Sequence, residues 1–189
     1  MLKKKYILKI PSNLDYIYCD NLNKLVLINN KETKILNLKF KILVNKTKNY
    51  FYITNNIKQN KLLDKKKLES LRMLDISNIR KTLIEVSTIM TKKLKLVGVG
   101  YKAFLTQNDT NNYFLQLKLG YSHNIYIKVP DNVKIVCPKP DTILLSSKSS
   151  ISLNRLVSLI RSYKIPDVYK GKGVLYEYEK LTLKIGKKS

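Results

Sequence analysis

Acidic residues are in short supply: 13 Asp and Glu face 37 Lys and Arg across 189 residues, leaving a formal net charge of +24. A monomeric metabolic enzyme gains nothing from that much self-repulsion. A polyanionic partner neutralises it, and nucleic acid is the commonest such partner. Cysteine is nearly absent. Cys19 and Cys137 stand far apart, which excludes a disulfide framework, and with His123 as the single histidine there is no zinc-ligand pattern. Long apolar runs are missing too, none approaching the roughly 20 residues that cross a bilayer. The opening "MLKKKYILKI" has neither an apolar stretch of secretory length nor the Arg- and Ser-rich character of a transit peptide, so the expectation is a protein that works where it is made. The nearest acids to His123 in sequence, Asp109 and Asp131, both lie in turn-like segments, and no carboxylate pair has the spacing for acid–base work. No enzyme chemistry, cofactor or metal is expected.

Enough remains to build a core. Hydrophobic residues make up 44% of the chain, sufficient for one or two domains. Only Arg72, Arg80, Arg155 and Arg161 are arginines, so lysine supplies nearly all the positive charge. Lysine neutralises phosphate as a point charge but lacks the guanidinium fork. Asn, Ile, Leu and Tyr are abundant and Trp is absent, a bias that follows from A- and T-rich codons more than from chemistry.

The chain carries an internal repeat. "IPSNLDYIYC" at residues 10–19 aligns with "VPDNVKIVCP" at residues 129–138, and after a one-residue gap Leu25–Ile28 falls opposite Ile143–Ser146. Each copy reads as a turn, a strand, a polar connection and a second strand, with a helix closing each half. In the first helix Ile76, Ile79, Leu83, Val86 and Met90 step by three and four residues; the second runs near Ser152–Tyr163 with Leu153, Leu156, Val157 and Ile160 on one face. The expected fold is α+β: two duplicated domains, residues 1–90 and 91–189, each an antiparallel β-sheet with an α-helix packed on one face. Ile57–Lys67 reads as a lysine-rich loop before the first helix. In the second half "KLKLVGVGYKAFL" reads as extended, "QNDTNN" as a turn, "YFLQLKLGY" as a strand with Tyr113, Leu115, Leu117 and Leu119 on one face, and "NIYIKV" as another strand.

Two glycine motifs imitate nucleotide sites. "GVGYKA" at Gly98–Ala103 fits the dinucleotide fingerprint formally, but β-like sequence follows where a helix is required, and Lys118 stands near the place of the ribose-binding acid. "GKG" lacks the spacing of a phosphate-binding Walker loop. Glycines within a strand instead suggest a bulge or a close backbone approach.

The basic residues of the second half gather in loops and strand ends, at Lys92–Lys95 with Lys102, at Lys164–Lys172 and in the tail Lys184–Lys188, interleaved with Tyr101, Tyr121, Tyr163 and Tyr169. A membrane-surface helix would place them on one helical face, which they do not do. In "YKGKG" (Tyr169–Gly173) the glycines are expected to let backbone N–H groups and lysine heads approach phosphates together, with the tyrosine stacking on a base and Pro166 stiffening the approach. The alternative is an exposed flexible turn. The residues themselves thus describe a basic, two-domain RNA-binding protein.

Four blocks of the second half go further. "TKKLKLVGVGYKA" (Thr91–Ala103), "LKLGYSHNI" (Leu117–Ile125), "IRSYKIPDVYKGKGV" (Ile160–Val174) and the closing "GKK" resemble, in order and spacing, the bacterial and organellar form of the family of ribosomal protein six of the large subunit. "IPSNLDYIY", "KLVLINN" and the long helix of the first half fit it more loosely. The family is itself a duplicated α+β protein. The resemblance implies a structural constituent of the large ribosomal subunit that binds its rRNA near the sarcin–ricin loop and factor-binding region, mainly through the second domain, with neighbouring ribosomal proteins as further partners and neither membrane nor small-molecule substrate. Carried over by position, its contact motifs fall on Lys92, Lys93, Tyr101, Lys102, Ser122, His123, Tyr169, Lys170, Gly171, Lys172 and Gly173. Arg161 and Lys164 in the third block and Lys187 and Lys188 in the tail complete the expected RNA-binding set. The chain departs from the family pattern at Asn124, Lys164, Ile165 and Val168, where proline or arginine is usual. With the codon bias, the bacterial-type pattern points to a mitochondrial large subunit ahead of a plastid or an AT-rich bacterium. The competing reading is a free RNA-binding protein acting outside the ribosome.

Overall fold

A computed structural model of the chain describes residues 6–29, 32–45, 47, 49–57, 65–107 and 113–186. The chain divides into two compact units, residues 1–88 and 89–189. Both are α+β.

The first unit contains β1 (Ile7–Lys9), β2 (Asp15–Cys19), β3 (Lys24–Asn29), β4 (Glu32–Asn37), β5 (Phe40–Asn45), β6 (Tyr50–Ile57) and α1 (Lys65–Ser87). The strands form two antiparallel sheets, in the orders β2-β3-β4 and β1-β6-β5. Alternation decides what each strand buries: Leu25 and Leu27 of β3, and Phe51 and Ile53 of β6, turn inward and are fully buried. The inward stripe of α1 carries Ile76, Ile79, Leu83 and Val86, but also Arg72, Asp75 and Glu85. Asp75 accepts hydrogen bonds from the amides of Lys39 (2.9 Å) and Phe40 (3.2 Å), fastening the β4–β5 connection to the helix. Burial raises its carboxyl pKa above the ordinary aspartate value, against the opposing effect of those two amides. Glu85 pairs with Lys34 of β4 at 2.5 Å, and Arg72 bonds the Ile53 carbonyl with its guanidinium 3.4 Å above the centre of the Tyr6 ring. Tyr18 links the two sheets, its hydroxyl accepting from the Ile42 amide at 3.0 Å and donating to Asn23 Oδ1 at 3.0 Å.

The second unit contains β7 (Met90–Val97), β8 (Lys102–Gln107), β9 (Tyr113–Lys118), β10 (Ile125–Lys128), β11 (Val133–Lys139), β12 (Thr142–Ser147), α2 (Ser150–Ser162) and β13 (Gly173–Tyr176). Its sheets run β10-β9-β8 and β11-β12-β7-β13, all antiparallel. Ser149 caps α2, its hydroxyl accepting from the Ser152 amide, and only Leu153, Leu156, Val157 and Ile160 of this helix are buried. They join Leu94, Leu115, Leu117, Leu119, Ile143 and Leu145 in one core.

The repeat appears in three dimensions. Both copies begin with the same turn, Leu14 N–H to Pro11 O at 3.3 Å and Val133 N–H to Pro130 O at 3.0 Å, and both continue as an antiparallel hairpin, β2–β3 and β11–β12. The order of elements differs from the expectation. In the first unit β4, β5 and β6 intervene between hairpin and helix, whereas in the second α2 follows β12 directly. The third strand beside the hairpin is β4, which follows it, in one unit, and β7, which precedes it, in the other. Each unit thus splits its strands between two sheets, where one sheet was expected.

Several local expectations are also corrected. Met90 opens β7 and does not continue the face of α1, which stops at Ser87. Ile57 closes β6 and Lys65–Lys67 open α1, so both ends of the expected Ile57–Lys67 loop are regular structure. Its residues 58–64 lie outside the described residues, as do 108–112 of the "QNDTNN" turn and the tail lysines Lys187 and Lys188. Tyr113 is 48% exposed although Leu115, Leu117 and Leu119 beyond it are buried, since it stands at the open end of β9. Cys19 and Cys137 are free, and burial pushes the Cys137 thiol pKa up, away from reactivity.

Candidate nucleic-acid interface

The loop Asp167–Gly173 leaves α2 and returns into β13, and its shape is set by one side chain. The Asp167 carboxylate accepts from the Tyr169 amide (3.4 Å) and the Lys170 amide (3.1 Å), the turn that a short acidic side chain favours. Its carbonyl accepts from Gly171 N–H at 2.9 Å, and its own amide donates to Lys172 O at 3.0 Å. Gly171 adopts φ +68°, which a side chain would oppose. Gly173 is needed for a different reason: a Cβ there would meet Pro166 Cα at 2.6 Å.

These contacts correct the expected role of the glycines. Gly171 and Gly173 are buried, and the amides of Tyr169, Lys170 and Gly171 bond within the loop, so no nest of free N–H groups faces outward. The glycines fold the loop; Tyr169, Lys170 and Lys172 are what it exposes. The closing tail lies along the loop through Lys184 N–H to Val168 O at 2.9 Å.

A second motif meets the first at the end of α2. Tyr121, Ser122 and His123 lie exposed between β9 and β10, with the Tyr121 and His123 rings stacked at 6.0 Å. The Tyr121 hydroxyl donates to Tyr163 O at 2.8 Å, and Lys164 Nζ sits 4.7 Å from the centre of the Tyr121 ring. Lys164 O in turn accepts from Val174 N–H at 2.9 Å, where the chain leaves the lysine–glycine loop. Residues Tyr163–Pro166 thus tie "GYSH" and "YKGKG" into one basic, aromatic surface.

Other expected residues fall elsewhere. Lys93 pairs with Glu177 at 2.6 Å, and that ammonium holds the Glu177 carboxyl below the usual carboxylate range. Arg161 pairs with Glu179 at 2.5 Å and lies 5.2 Å from the Tyr176 ring centre, with Lys92 Nζ 5.6 Å from the same ring. Two of these three cations are therefore balanced within the fold. Tyr101 is half-buried against the core: a Cβ on Gly98 would lie 2.9 Å from its ring and one on Gly120 3.1 Å, so those glycines make room for the tyrosine. This is the close approach expected of the "GVGYKA" glycines, and β8 follows them where a dinucleotide site needs a helix. Lys102 opens β8 and is exposed.

Asp167 and Glu179 join the tyrosines and lysines expected at this surface. Asp167 is legible as a turn-initiating acid two residues before "YKGKG", and Tyr121 as one of the interleaved tyrosines, whereas Glu179 gives no signal without the fold.

The second unit is also where likeness to known proteins concentrates. Residues 97–177 match the family model described as Ribosomal protein L6. Large ribosomal subunit protein uL6 of Malacoplasma penetrans is 38% identical over 124 residues, 66% of this chain and 65% of that protein. The uL6 proteins of Chloroherpeton thalassium and Rhodopseudomonas palustris are each 44% identical, over 102 residues (54% of both chains) and 97 residues (51% of this chain, 52% of the relative). The chain belongs to the ribosomal protein L6 family. The match spans about half to two thirds of the length of these relatives. Within the L6 family region fall β8 to β12, α2, β13 and every contact described between "GYSH" and "YKGKG".

Proposed function

We propose that the chain is a non-enzymatic, structural constituent of the large ribosomal subunit, and that its second unit grips large-subunit rRNA by shape and phosphate charge. The observation that carries the reading is the surface around Tyr163–Pro166. There an Asp167-braced loop holds out Lys170 and Lys172 beside Tyr169, and Lys164, Tyr121 and His123 adjoin it. A loop braced before binding loses little conformational entropy on meeting the RNA. Lysine heads suit phosphate contacts that position the protein without reading bases. Lys92, Lys93 and Arg161 contribute less in this reading, since two of them already have carboxylate partners. The factor-binding region near the sarcin–ricin loop is the rRNA site that the family resemblance favours. The Lys-, Asn-, Ile- and Tyr-rich composition supports a mitochondrial subunit, although the matching relatives are bacterial.

Salt dependence and substitution test this together. If about six phosphates are neutralised, log K for rRNA falls against log salt with a slope of roughly −4 to −5. Lys170→Ala with Lys172→Ala is expected to flatten that slope by roughly 1 to 2 and to reduce incorporation into the large subunit at elevated salt. Unchanged incorporation would remove the loop from the interface. Sedimentation apart from the large subunit, with crosslinks to scattered RNAs, would favour the free RNA-binding reading.

A further inference from the structure

The sheet β10-β9-β8 has an inner face that closes the core through Ala103, Leu115, Leu117 and Ile127. Its outer face is unusual for a solvated surface. Strand register sets Phe104 opposite Gln116 and Gln116 opposite Tyr126, a row across all three strands. Phe104 is 39% and Tyr126 58% exposed. The adjoining row holds Phe114 opposite Lys128 and Thr106, and the row on the other side pairs Lys102 with Lys118. Those three lysines are exposed, and none of the three strands contains an acidic residue.

We infer that this face is a second RNA-docking surface, one that takes unpaired nucleotides by stacking. Two strand spacings separate Phe104 from Tyr126, about 10 Å, which leaves room for one base on each ring with Gln116 between them. The Gln116 amide offers both a donor and an acceptor to base edges. Lys102 and Lys118 at one end of the face and Lys128 at the other stand where the backbone phosphates of such a strand would run. A protein partner covering an apolar face does not need three exposed lysines on strands without an acid, whereas a polyanion with π-faces uses both halves of the surface. The inference goes beyond the loop's proposed role and shares with it only the class of polymer. It rests on residues outside the loop and the "GYSH" turn, and only Lys102 among them belongs to the contact set that the family resemblance implies.

Fluorescence anisotropy of the full chain at fixed salt tests it, with a ten-nucleotide oligouridine and a blunt RNA duplex of similar length as probes. Phe104→Ala with Tyr126→Ala is expected to weaken oligouridine binding about tenfold or more and duplex binding less than about twofold. Phe104→Tyr with Tyr126→Phe, which keeps both rings, should bind as the wild type does. The Lys170→Ala, Lys172→Ala variant should show the opposite preference, losing duplex more than oligouridine. Oligouridine affinity unchanged in the Phe104→Ala, Tyr126→Ala variant, or no oligouridine binding by the wild type, overturns the inference, while the loop variant judges the loop separately. Oligoglutamate that displaces oligouridine with the same dependence on both rings would assign the face to an acidic protein segment and overturn it as well. A measurement on the wild type avoids any folding defect: photocrosslinks from 4-thiouridine oligonucleotides should map to residues 102–106 and 114–128, and crosslinks confined to other segments would also defeat the assignment.

Discussion

The two units share one hairpin, β2–β3 and β11–β12, and each packs one helix on its core, but their helices bury different chemistry. The inward face of α2 is wholly aliphatic, whereas α1 places Arg72, Asp75 and Glu85 among its buried residues. The difference follows from what each helix must hold. In the second unit α2 lies on a continuous four-stranded sheet, and apolar contact suffices. In the first, α1 also secures the β4–β5 connection, whose amides at Lys39 and Phe40 need acceptors once they are taken from water, and the Asp75 carboxylate provides them. Basic charge is shared almost evenly between the halves of the sequence, so it does not separate the units. Exposure does not separate them either: Lys9, Lys24 and Lys41 of the first unit are as open to solvent as Lys102, Lys118, Lys128, Lys170 and Lys172 of the second, and each unit also holds cations on internal partners, Lys34 and Arg72 in one, Lys93 and Arg161 in the other.

The contrast between the helices can be broken by substitution. The largest effect is expected in the aliphatic helix. Ile160→Ala removes a fully buried side chain and should cost about 2–5 kcal/mol, read by urea unfolding, with hydrogen exchange rising in the second unit and unchanged in the first. Loss of protection in both halves would show that the units do not fold separately.

The polar helix should respond to chemistry more than to volume. Asp75→Ala leaves two amides without their acceptor and is expected to cost about 1–3 kcal/mol, whereas Asp75→Asn keeps a carbonyl oxygen for both and should cost much less. The raised pKa fixes the sign of the pH dependence. The folded state holds the Asp75 proton more tightly than the unfolded chain, so wild-type stability relative to Asp75→Asn should increase as pH falls through the raised folded value towards the ordinary aspartate value. A difference that grows in the other direction would mean that the amides and Lys39 outweigh burial.

The smallest effect lies at the start of α2. Ser149→Ala removes the capping oxygen and should lower the stability of the second unit by about 1 kcal/mol, and Ser149→Asp should restore it. Equal stability of the alanine variant would assign the cap to backbone and solvent.

Much of this was open to pattern reading, because periodicity records which side of an element faces the core. The alternation around Leu25 and Leu115 and the three-and-four spacing of Ile76, Ile79 and Leu83 are backbone geometry written into side-chain order. The paired turns at Pro11 and Pro130 and the unsuitability of "GVGYKA" for a nucleotide are local in the same way. The overrun of α1 into Met90 shows the limit of that reading: a methionine in phase with a helical stripe also suits the first position of a strand.

What the amino-acid order determined by itself was therefore the elements, the faces they bury, the repeated hairpin and the basic character of both halves. Tertiary structure alone decided which charges remain available. Lys93 meets Glu177 across 84 residues and Arg161 meets Glu179 across 18, so two cations that read as RNA contacts are balanced inside the fold. It also decided that Tyr101 fills the space left by Gly98 and Gly120, and that Phe104, Gln116 and Tyr126 stand in one row. The physical reason is the same in each case. Periodicity specifies a direction for each side chain, but its partner depends on strand neighbours and register, which long-range pairing sets.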